Sequence, residues 1–433
     1  MNWIKKLIPQ NLKNIYHLFQ AIIANVVFGF PSRKMKVIGV TGTNGKTTVC
    51  QMVAKILEEN NLKVAMVSTI NFKIGGKKWV NKTKFTTLSS WSIQKFIAGA
   101  VKADCEYLVL ETSSHSLDQY RVWGVQYRTA VITNITREHL DYHQTMEEYR
   151  AVKLELFKKA KIAVVNLDME KPEDFLELEY EKLLTYSIKN DKADILAKDI
   201  KLNKDSSQFT VNSSQFFINL LGEFNIENAL AAISIGISEN IPIEKIKSAL
   251  ERIKGIPGRL EFIPNDKNLN IVIDYAVTPD SLEKLYALIK KLKCHPEFIS
   301  GSNNEMPKQV WHDKSKIIAV FGACGERDRG KRPMMGEIVS QSADYIILTD
   351  EDPYNEDPVQ IIEEVAAGIK NKKLGENLWK ILDRREAIKK ALQIAKHGDY
   401  IIITGKGAEE TMAIGSQRIP WNDKKVIQEL LQK

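Results

Sequence analysis

The segment KVIGVTGTNGKTTV, residues 36–49, constrains this chain more than any other stretch. Its uninterrupted apolar run reads as a strand buried on both faces. A Gly-rich turn follows, then an amphipathic stretch from Gly45 to Asn60 that reads as a helix. Strand, tight turn and helix N-terminus together make an anion cradle, because backbone N–H groups converge there and the helix dipole favours negative charge. In such a loop Lys46 meets β/γ-phosphates and Thr47 a Mg²⁺ ion. The general spacing asks for glycine at position 40, where Val40 stands. The glycine is instead Gly42, so the loop is a variant of a nucleoside-triphosphate site.

The rest of the chain repeats the same alternation. VAMVST, YLVLET, TAVITN and IAVVNLD read as further strands, with helical segments between several of them. This is the β-α-β pattern of an α/β fold with a mostly parallel sheet. Between about Leu183 and Asn219 the text changes to short alternating runs, the mark of a small antiparallel patch. Helical text from Glu223 to Lys254 stops at the Pro/Gly boundary GIPGR. A second α/β unit, Rossmann-like, starts near Arg259 with strand candidates LNIVIDYA, KIIAVFGA, DYIILTD, LWKILD and DYIIITGKG, and ends in a helix over Asn422 to Gln432. The expected division is an N-terminal segment over 1–35, a central domain over 36–256 and a C-terminal domain over 257–433. The polar, aperiodic stretch 294–315 reads as a surface insertion.

Composition excludes several classes. With 44% hydrophobic and 27% charged residues the chain is neither disordered nor collagen-like. The net charge of +8 is mild, and no Lys/Arg run is long enough for a nucleic-acid arm, so anionic small molecules are the expected partners. The four cysteines are widely spaced, which fits a reducing cytoplasm and neither a disulfide framework nor a zinc ribbon. Ile15 to Phe30 is apolar but interrupted by Tyr16, His17, Gln20 and Asn25. It is short of the roughly 20 residues of a membrane span, and no small-residue cleavage pattern follows it. It reads as an amphipathic helix docked on the first domain. Lys5, Lys6, Lys13, Arg33 and Lys34 flank it, so weak contact with a membrane surface is the functional alternative.

Two further residues stand where ligands bind in open α/β sheets, beyond the carboxyl ends of strands. Glu111 ends the apolar run of YLVLETSSHSLDQYR, and His139 lies beyond that of TAVITNITREHLDYH. Both could join Thr47 around Mg²⁺. His139 and His143 also have the i, i+4 spacing of a zinc pair, but HLDYH is not HExxH and no third soft ligand is evident.

Eight motifs occur in an order that resembles the Mur ligases: TGTNGKTT, ETSSHSLDQYR, TNITREHLDYH with YRAVKLELF, LGEFNIENALAA, GIPGRLE, DYAVTPDSL, GACGERDRGKRP and GKGAEE. The similarity is greatest to the UDP-N-acetylmuramoyl-L-alanyl-D-glutamate ligases, the MurE type, and covers nearly everything from Lys36 onward. It implies ATP-dependent addition of L-lysine or meso-diaminopimelate to a muramyl-peptide nucleotide through an acyl phosphate, in peptidoglycan synthesis. It implies that Gly42, Thr43, Asn44, Gly45, Lys46, Thr47 and Thr48 bind ATP phosphates. Glu111 and His139 would bind Mg²⁺, and Lys153 would carry a CO₂-derived carbamate. Asn225, Asn228, Arg259 and Asp274 match positions that close over the nucleotide. Thr86, Thr87, Ser113, Gln119 and Arg121 match positions that hold the muramyl substrate, although any one Ser or Thr could simply cap a helix. Arg327, Asp352, Tyr354, Gly405 and Glu409 match the amino-acid site.

The departures are specific. Val277 and Ala408 stand where the family commonly has histidine, and Tyr354 stands where diaminopimelate-adding members have arginine. Tyrosine cannot form the bidentate salt bridge that arginine offers a carboxylate. Glu351, Asp352 and Glu409 would favour an ammonium group, which points to L-lysine while leaving diaminopimelate open. The family's N-terminal uridine-nucleotide-binding domain has no counterpart in the 35 residues before Lys36, so a separate protein could supply it. The alternatives are another Mur-fold amide ligase of the folylpolyglutamate or polyglutamate type, and a catalytically silent binding protein. SSHSLDQYR and HLDYH argue against the first; intact GKTT, Glu111, His139 and Lys153 argue against the second.

Overall fold

The computed structural model describes residues 9–83, 85–203, 205–294 and 315–432. The chain forms two compact units. The first comprises residues up to Thr136, His143–Leu202 and Ser206–Lys254; the second comprises Arg137–Tyr142, Asn203–Asp205 and Gly255 onward.

The first unit is built on a nine-stranded sheet of order β4-β3-β2-β5-β1-β6-β7-β8-β9. Its strands are β1 (Lys36–Thr41), β2 (Val64–Val67), β3 (Asn71–Ile74), β4 (Lys77–Val80), β5 (Tyr107–Glu111), β6 (Tyr127–Ile132), β7 (Ile162–Asn166), β8 (Lys182–Ser187) and β9 (Ile195–Leu196). All neighbours pair in parallel except β2-β3 and β3-β4, which form an antiparallel edge. The helices used below are α1 (Gln10–Phe28), α2 (Lys46–Glu59), α3 (Ser90–Lys102), α4 (Ser114–Asp118), α5 (Met146–Phe157), α6 (Glu223–Ser238) and α7 (Ile243–Glu251). Both sheet faces are covered, which is why the central strands are apolar without alternation. On one face Leu108 and Leu110 of β5 pack with Ile93, Phe96 and Ile97 of α3 and with Tyr149, Leu156 and Phe157 of α5. On the other face lie α2 and α6, which pack against each other. A three-stranded antiparallel sheet, β10 (Lys198–Leu202), β11 (Ser207–Val211) and β12 (Ser214–Ile218), completes the unit.

The second unit carries a six-stranded sheet of order β13-β14-β18-β15-β16-β17. Its strands are β13 (Glu261–Ile263), β14 (Asn270–Asp274), β15 (Ile317–Phe321), β16 (Tyr345–Leu348), β17 (Leu378–Lys380) and β18 (Tyr400–Thr404), parallel apart from β13. A hairpin of β19 (Thr411–Ile414) and β20 (Gln417–Pro420) follows. Helices α8 (Pro279–Cys294), α9 (Lys331–Ser340), α10 (Pro358–Ala366), α11 (Arg384–Ile394) and α12 (Asp423–Leu431) surround the sheet. Ile273, Val320, Ile347 and Ile403 pack with Ala387, Ile388 and Ala391 of α11 and with Ile427 of α12. Arg384 and Asp423, both fully buried, tie these two helices together through bonds of 2.9 and 2.7 Å.

The mostly parallel central sheet, the small antiparallel patch and the second α/β unit agree with the sequence reading. The boundaries differ in three places. The antiparallel patch starts at Lys198, because Leu183 lies in β8, which extends the main sheet in parallel from β7. The N-terminal helix runs from Gln10 to Phe28 and is ended by Gly29, whose left-handed backbone (φ 67°) lets its N–H reach the Asn25 and Val26 carbonyls. The helical text after Glu223 is two helices, interrupted between Glu239 and Pro242. The insertion expected over 294–315 lies outside the described residues apart from Cys294 and Ser315 at its ends.

Candidate active site

The phosphate-loop candidate joins β1 to α2, and its shape is held by residues from three other elements. Gly42 (φ 140°) and Gly45 (φ 85°) adopt backbone that side-chain-bearing residues avoid. A Cβ on Gly42 would meet the Thr133 hydroxyl at 1.9 Å, and one on Gly45 would meet Asn228 Oδ1 at 2.2 Å. Thr133 and Asn134 follow β6. Thr133 Oγ1 donates to the Asn44 carbonyl at 2.6 Å, while the Thr43 and Asn44 amides donate to Asn134 O and Oδ1 at 2.8 and 2.9 Å. Asn228 comes from α6 and donates to Asn225 Oδ1 at 3.2 Å; Asn225 in turn donates to the Leu221 carbonyl.

Two lysines meet at this loop. Lys46 Nζ donates to the Gly42 and Thr43 carbonyls at 3.0 and 2.7 Å. Lys153, one turn from the end of α5, reaches the same Gly42 carbonyl at 3.0 Å and lies 4.3 Å over the Tyr149 ring. Lys153 is buried. Burial, and then the nearby Lys46 charge, hold its pKa well below the usual lysine range. Tyr149 shares a 3.2 Å hydrogen bond with the Thr43 hydroxyl and packs on His143. Nε2 of His143 lies 2.9 Å from Ser114 Oγ, and burial followed by Lys153 lowers the His143 pKa to about 4. This His143 is a packed, neutral residue.

Thr47, one residue into α2, donates to both oxygens of Glu111 at 3.1 and 3.0 Å. Glu111 closes β5, beside β1, and also accepts from the Thr69 amide at 2.7 Å and the Thr69 hydroxyl at 2.8 Å. The carboxylate is buried, and no described lysine or arginine forms an ion pair with it. Two hard oxygen donors side by side, Thr47 at the phosphate loop and Glu111 at the end of β5, fit a Mg²⁺ ion that completes its shell with phosphate oxygens and water. Among the described residues no group of three or more His, Cys, Asp or Glu could hold a metal alone.

The matched muramyl positions adjoin Glu111. Thr86 Oγ1 accepts from Thr69 at 3.1 Å. Thr87 donates to the Glu111 carbonyl at 2.8 Å, and its hydroxyl accepts from the Ser113 amide at 3.0 Å. Ser113 caps α4 by accepting from the Ser116 amide. Arg121 donates to the Thr87 carbonyl at 3.4 Å, is fixed by Gln119 and lies over the Phe85 ring.

The remaining candidates lie in the second unit. His139 (φ 58°) follows Glu138, which forms a buried ion pair with Lys331 at 2.9 Å; Lys331 also donates to the Val277 carbonyl. The structure therefore brings Thr47 and Glu111 together and assigns His139 to the other unit. Asp274 accepts from the Leu260 amide at 2.6 Å, and Arg259 stacks over Tyr275. Lys406, fully buried, donates to Asp352 at 2.9 and 3.0 Å and to Glu409 at 2.6 Å. Two of the three carboxylates expected to attract an ammonium group thus share one lysine, which offsets one of their two charges. Glu351 lies against Gly405, and burial followed by Asp352 pushes its carboxyl up to about 7. Arg327 and Tyr354 lie close enough to influence each other's ionisation.

Sequence reasoning missed Thr69, Thr133, Asn134 and Tyr149. Thr69, Thr133 and Asn134 are polar residues just beyond β2 and β6, so the rule applied to Glu111 reaches them. Tyr149 stands four residues before Lys153 on the same helix face.

The Mur ligase middle domain matches residues 40–236, and the Mur ligase glutamate ligase domain matches 258–407. The chain belongs to the Mur ligase family. A UDP-N-acetylmuramyl-tripeptide synthetase of Roseiflexus sp. (strain RS-1) is 36% identical over 93% of this chain and 80% of its own length. A UDP-N-acetylmuramoyl-L-alanyl-D-glutamate–2,6-diaminopimelate ligase of Clostridium tetani is 38% identical over 95% of this chain and 81% of its own. A solved structure of a ligase with that second name matches 92% of this Mur ligase and 78% of its own chain, with TM-score 0.58 and 32% identity. Mur ligases of this kind form amide bonds at the expense of ATP.

Proposed function

We propose that this Mur ligase adds an amino acid to UDP-N-acetylmuramoyl-L-alanyl-D-glutamate in peptidoglycan synthesis, forming an amide with release of ADP and phosphate. One observation carries the reading: Lys46 and Lys153 converge on the Gly42 carbonyl in a phosphate loop that also holds Thr47 against Glu111. Residues 36–256 would bind ATP and the muramyl acceptor, and residues 257–433 the amino acid, in the cytoplasm.

ATP, when bound with Mg²⁺, supplies the phosphoryl group that turns a poor acceptor carboxylate into an acyl phosphate. The loop amides from Gly42 to Thr48 orient the phosphates, and Lys46 sets a cation at the transferring group. Thr47 and Glu111 would hold the metal, and His139 keeps its motif-based assignment as a further ligand. Burial favours the neutral form of the Lys153 amine. A neutral amine can attack CO₂: the N–C bond forms, one proton leaves to solvent, and the uncharged amine at Gly42 becomes an anion able to support the metal. Asn225, Asn228, Arg259 and Asp274 would hold the nucleotide. Thr86, Thr87, Ser113, Gln119 and Arg121 would hold the acceptor. Arg327 would pair the α-carboxylate of the incoming amino acid, beside Asp352, Tyr354, Gly405 and Glu409. That amino acid is L-lysine or meso-diaminopimelate, with Tyr354 in place of arginine weighing toward L-lysine.

ADP release tests this, with the acceptor and a panel of amino acids each supplied or withheld. The expected result is release only when acceptor and one of the two diamino acids are both present. Equal release without the acceptor would contradict the proposal.

A further inference from the structure

Helix α1 is mounted the wrong way round for a surface helix. It turns its small and polar side toward the protein: Ala21, Ala24 and Asn25 are fully buried. Asn25 donates to the Ala21 and Trp123 carbonyls, both at 2.8 Å, and Asn14 donates to Asp118 at 2.9 Å. A Cβ on Gly124 would come within 2.5 Å of Asn25, so the fit is close. Phe28 packs edge-on against Trp91. These contacts fix the helix in rotation. Its large apolar residues then face outward: Leu12, Ile15, Tyr16, Phe19, Ile23, Val26 and Val27 are 51% to 63% exposed. At about 100° per residue the seven lie within roughly 120° of arc, one continuous stripe. Isolated exposed apolar residues are ordinary, but a contiguous stripe marks a contact surface.

The charge around the stripe selects its occupant. No Asp or Glu precedes Glu58 in the sequence, while Lys5, Lys6, Lys13, Arg33 and Lys34 do. Arg33 and Lys34 are exposed just past the helix end, and Lys13 is half-exposed near its start. Asp118, the acid that α1 touches, is engaged by Asn14. A second copy of this chain would bring the same cations face to face. An anionic bilayer surface would match both features, burying the apolar stripe at the acyl boundary and pairing the flanking cations with headgroups. No described helix is long and apolar enough to cross a membrane, so the contact is one that lies on the surface. We propose that the outer face of α1 is a docking surface for anionic lipid bilayers.

The test is co-sedimentation of the full chain with phosphatidylcholine vesicles, with or without about 30% phosphatidylglycerol. The parent protein should pellet with the anionic vesicles, stay in solution with the neutral ones, and be released by high salt. Phe19→Glu with Ile23→Glu should lower the bound-to-free ratio by about tenfold or more. That variant should keep its thermal midpoint and its ADP release on soluble acceptor, since both residues project outward. Phe217→Glu, an exposed apolar residue on β12, should bind as the parent does. Absence of pelleting with either vesicle, or unchanged binding by the double variant, overturns the proposal. So does a concentration-dependent dimer of the parent that the double variant abolishes, which would make the face a self-interface.

Discussion

The two units treat the basic side chains that point inward in opposite ways. In the first, Lys46 and Lys153 donate to backbone carbonyls of the phosphate loop, and the buried Glu111 is answered by two hydroxyls and an amide. In the second, Lys406 is matched by Asp352 and Glu409, Lys331 by Glu138, and Arg384 by Asp423. A cation held by dipoles retains its field for an incoming ligand, and an amine held by them keeps its lone pair. A cation that meets an opposite charge is held in the architecture, and breaking the pair costs several kcal/mol because the remaining partner stays buried. The contrast teaches that burial alone does not mark a reactive lysine; the partner does.

The largest expected effect is on Lys46. Lys46→Ala should reduce ligation by about 10³-fold or more, with the thermal midpoint nearly unchanged, read by ADP release and a melting curve. Near-parental turnover would remove Lys46 from the reactive class. Lys153→Ala should cost about 10²-fold, with part of the activity returned by short carboxylic acids in solution. The parent enzyme should lose activity when CO₂ and bicarbonate are stripped and recover when they are restored. Insensitivity to bicarbonate would leave Lys153 as packing.

Lys406→Met is the counterpart. It removes the cation shared by the buried Asp352 and the half-buried Glu409 and should destabilise the second unit by about 3 kcal/mol, seen as a lowered melting transition. Glu351→Gln should act in the other direction, through pH. The folded carboxyl titrates near 7, raised from 4.5, so the folded chain holds this proton more tightly than the unfolded chain. Its contribution is complete below pH 4.5 and is lost as the pH rises through 7. The glutamine variant should therefore be more stable than the parent at alkaline pH, by up to about 3 kcal/mol, with the gain fading toward acid pH. Tyr354→Arg should have the smallest effect, shifting the kcat/KM preference between lysine and diaminopimelate by about tenfold toward the latter. An unchanged ratio would show that Tyr354 is not the selector.

Much of the first unit was legible because its signals are local. The strand of KVIGVT, the glycines of the loop and Glu111 at the end of β5 are read from runs a few residues long. The hairpin β3-β4 escaped because it lies at a sheet edge with Lys77 to Val80 exposed, which leaves little apolar pattern. The sequence does not separate β8 from the antiparallel patch, because a short strand reads alike whichever way its neighbours run. The charge pairings of the second unit were not legible at all. Asp352 lies 54 residues from Lys406, and Arg384 lies 39 from Asp423. Only the fold decides which carboxylate meets which cation, so of three acids that read as an ammonium site two share a lysine.

The most direct test of the account is the mass of the acceptor after incubation with the enzyme, ATP, Mg²⁺ and L-lysine or meso-diaminopimelate. The expected result is an acceptor heavier by one amino-acid residue, one ADP formed per product, and neither from the Lys46→Ala variant. ATP consumed while the acceptor keeps its mass would contradict it.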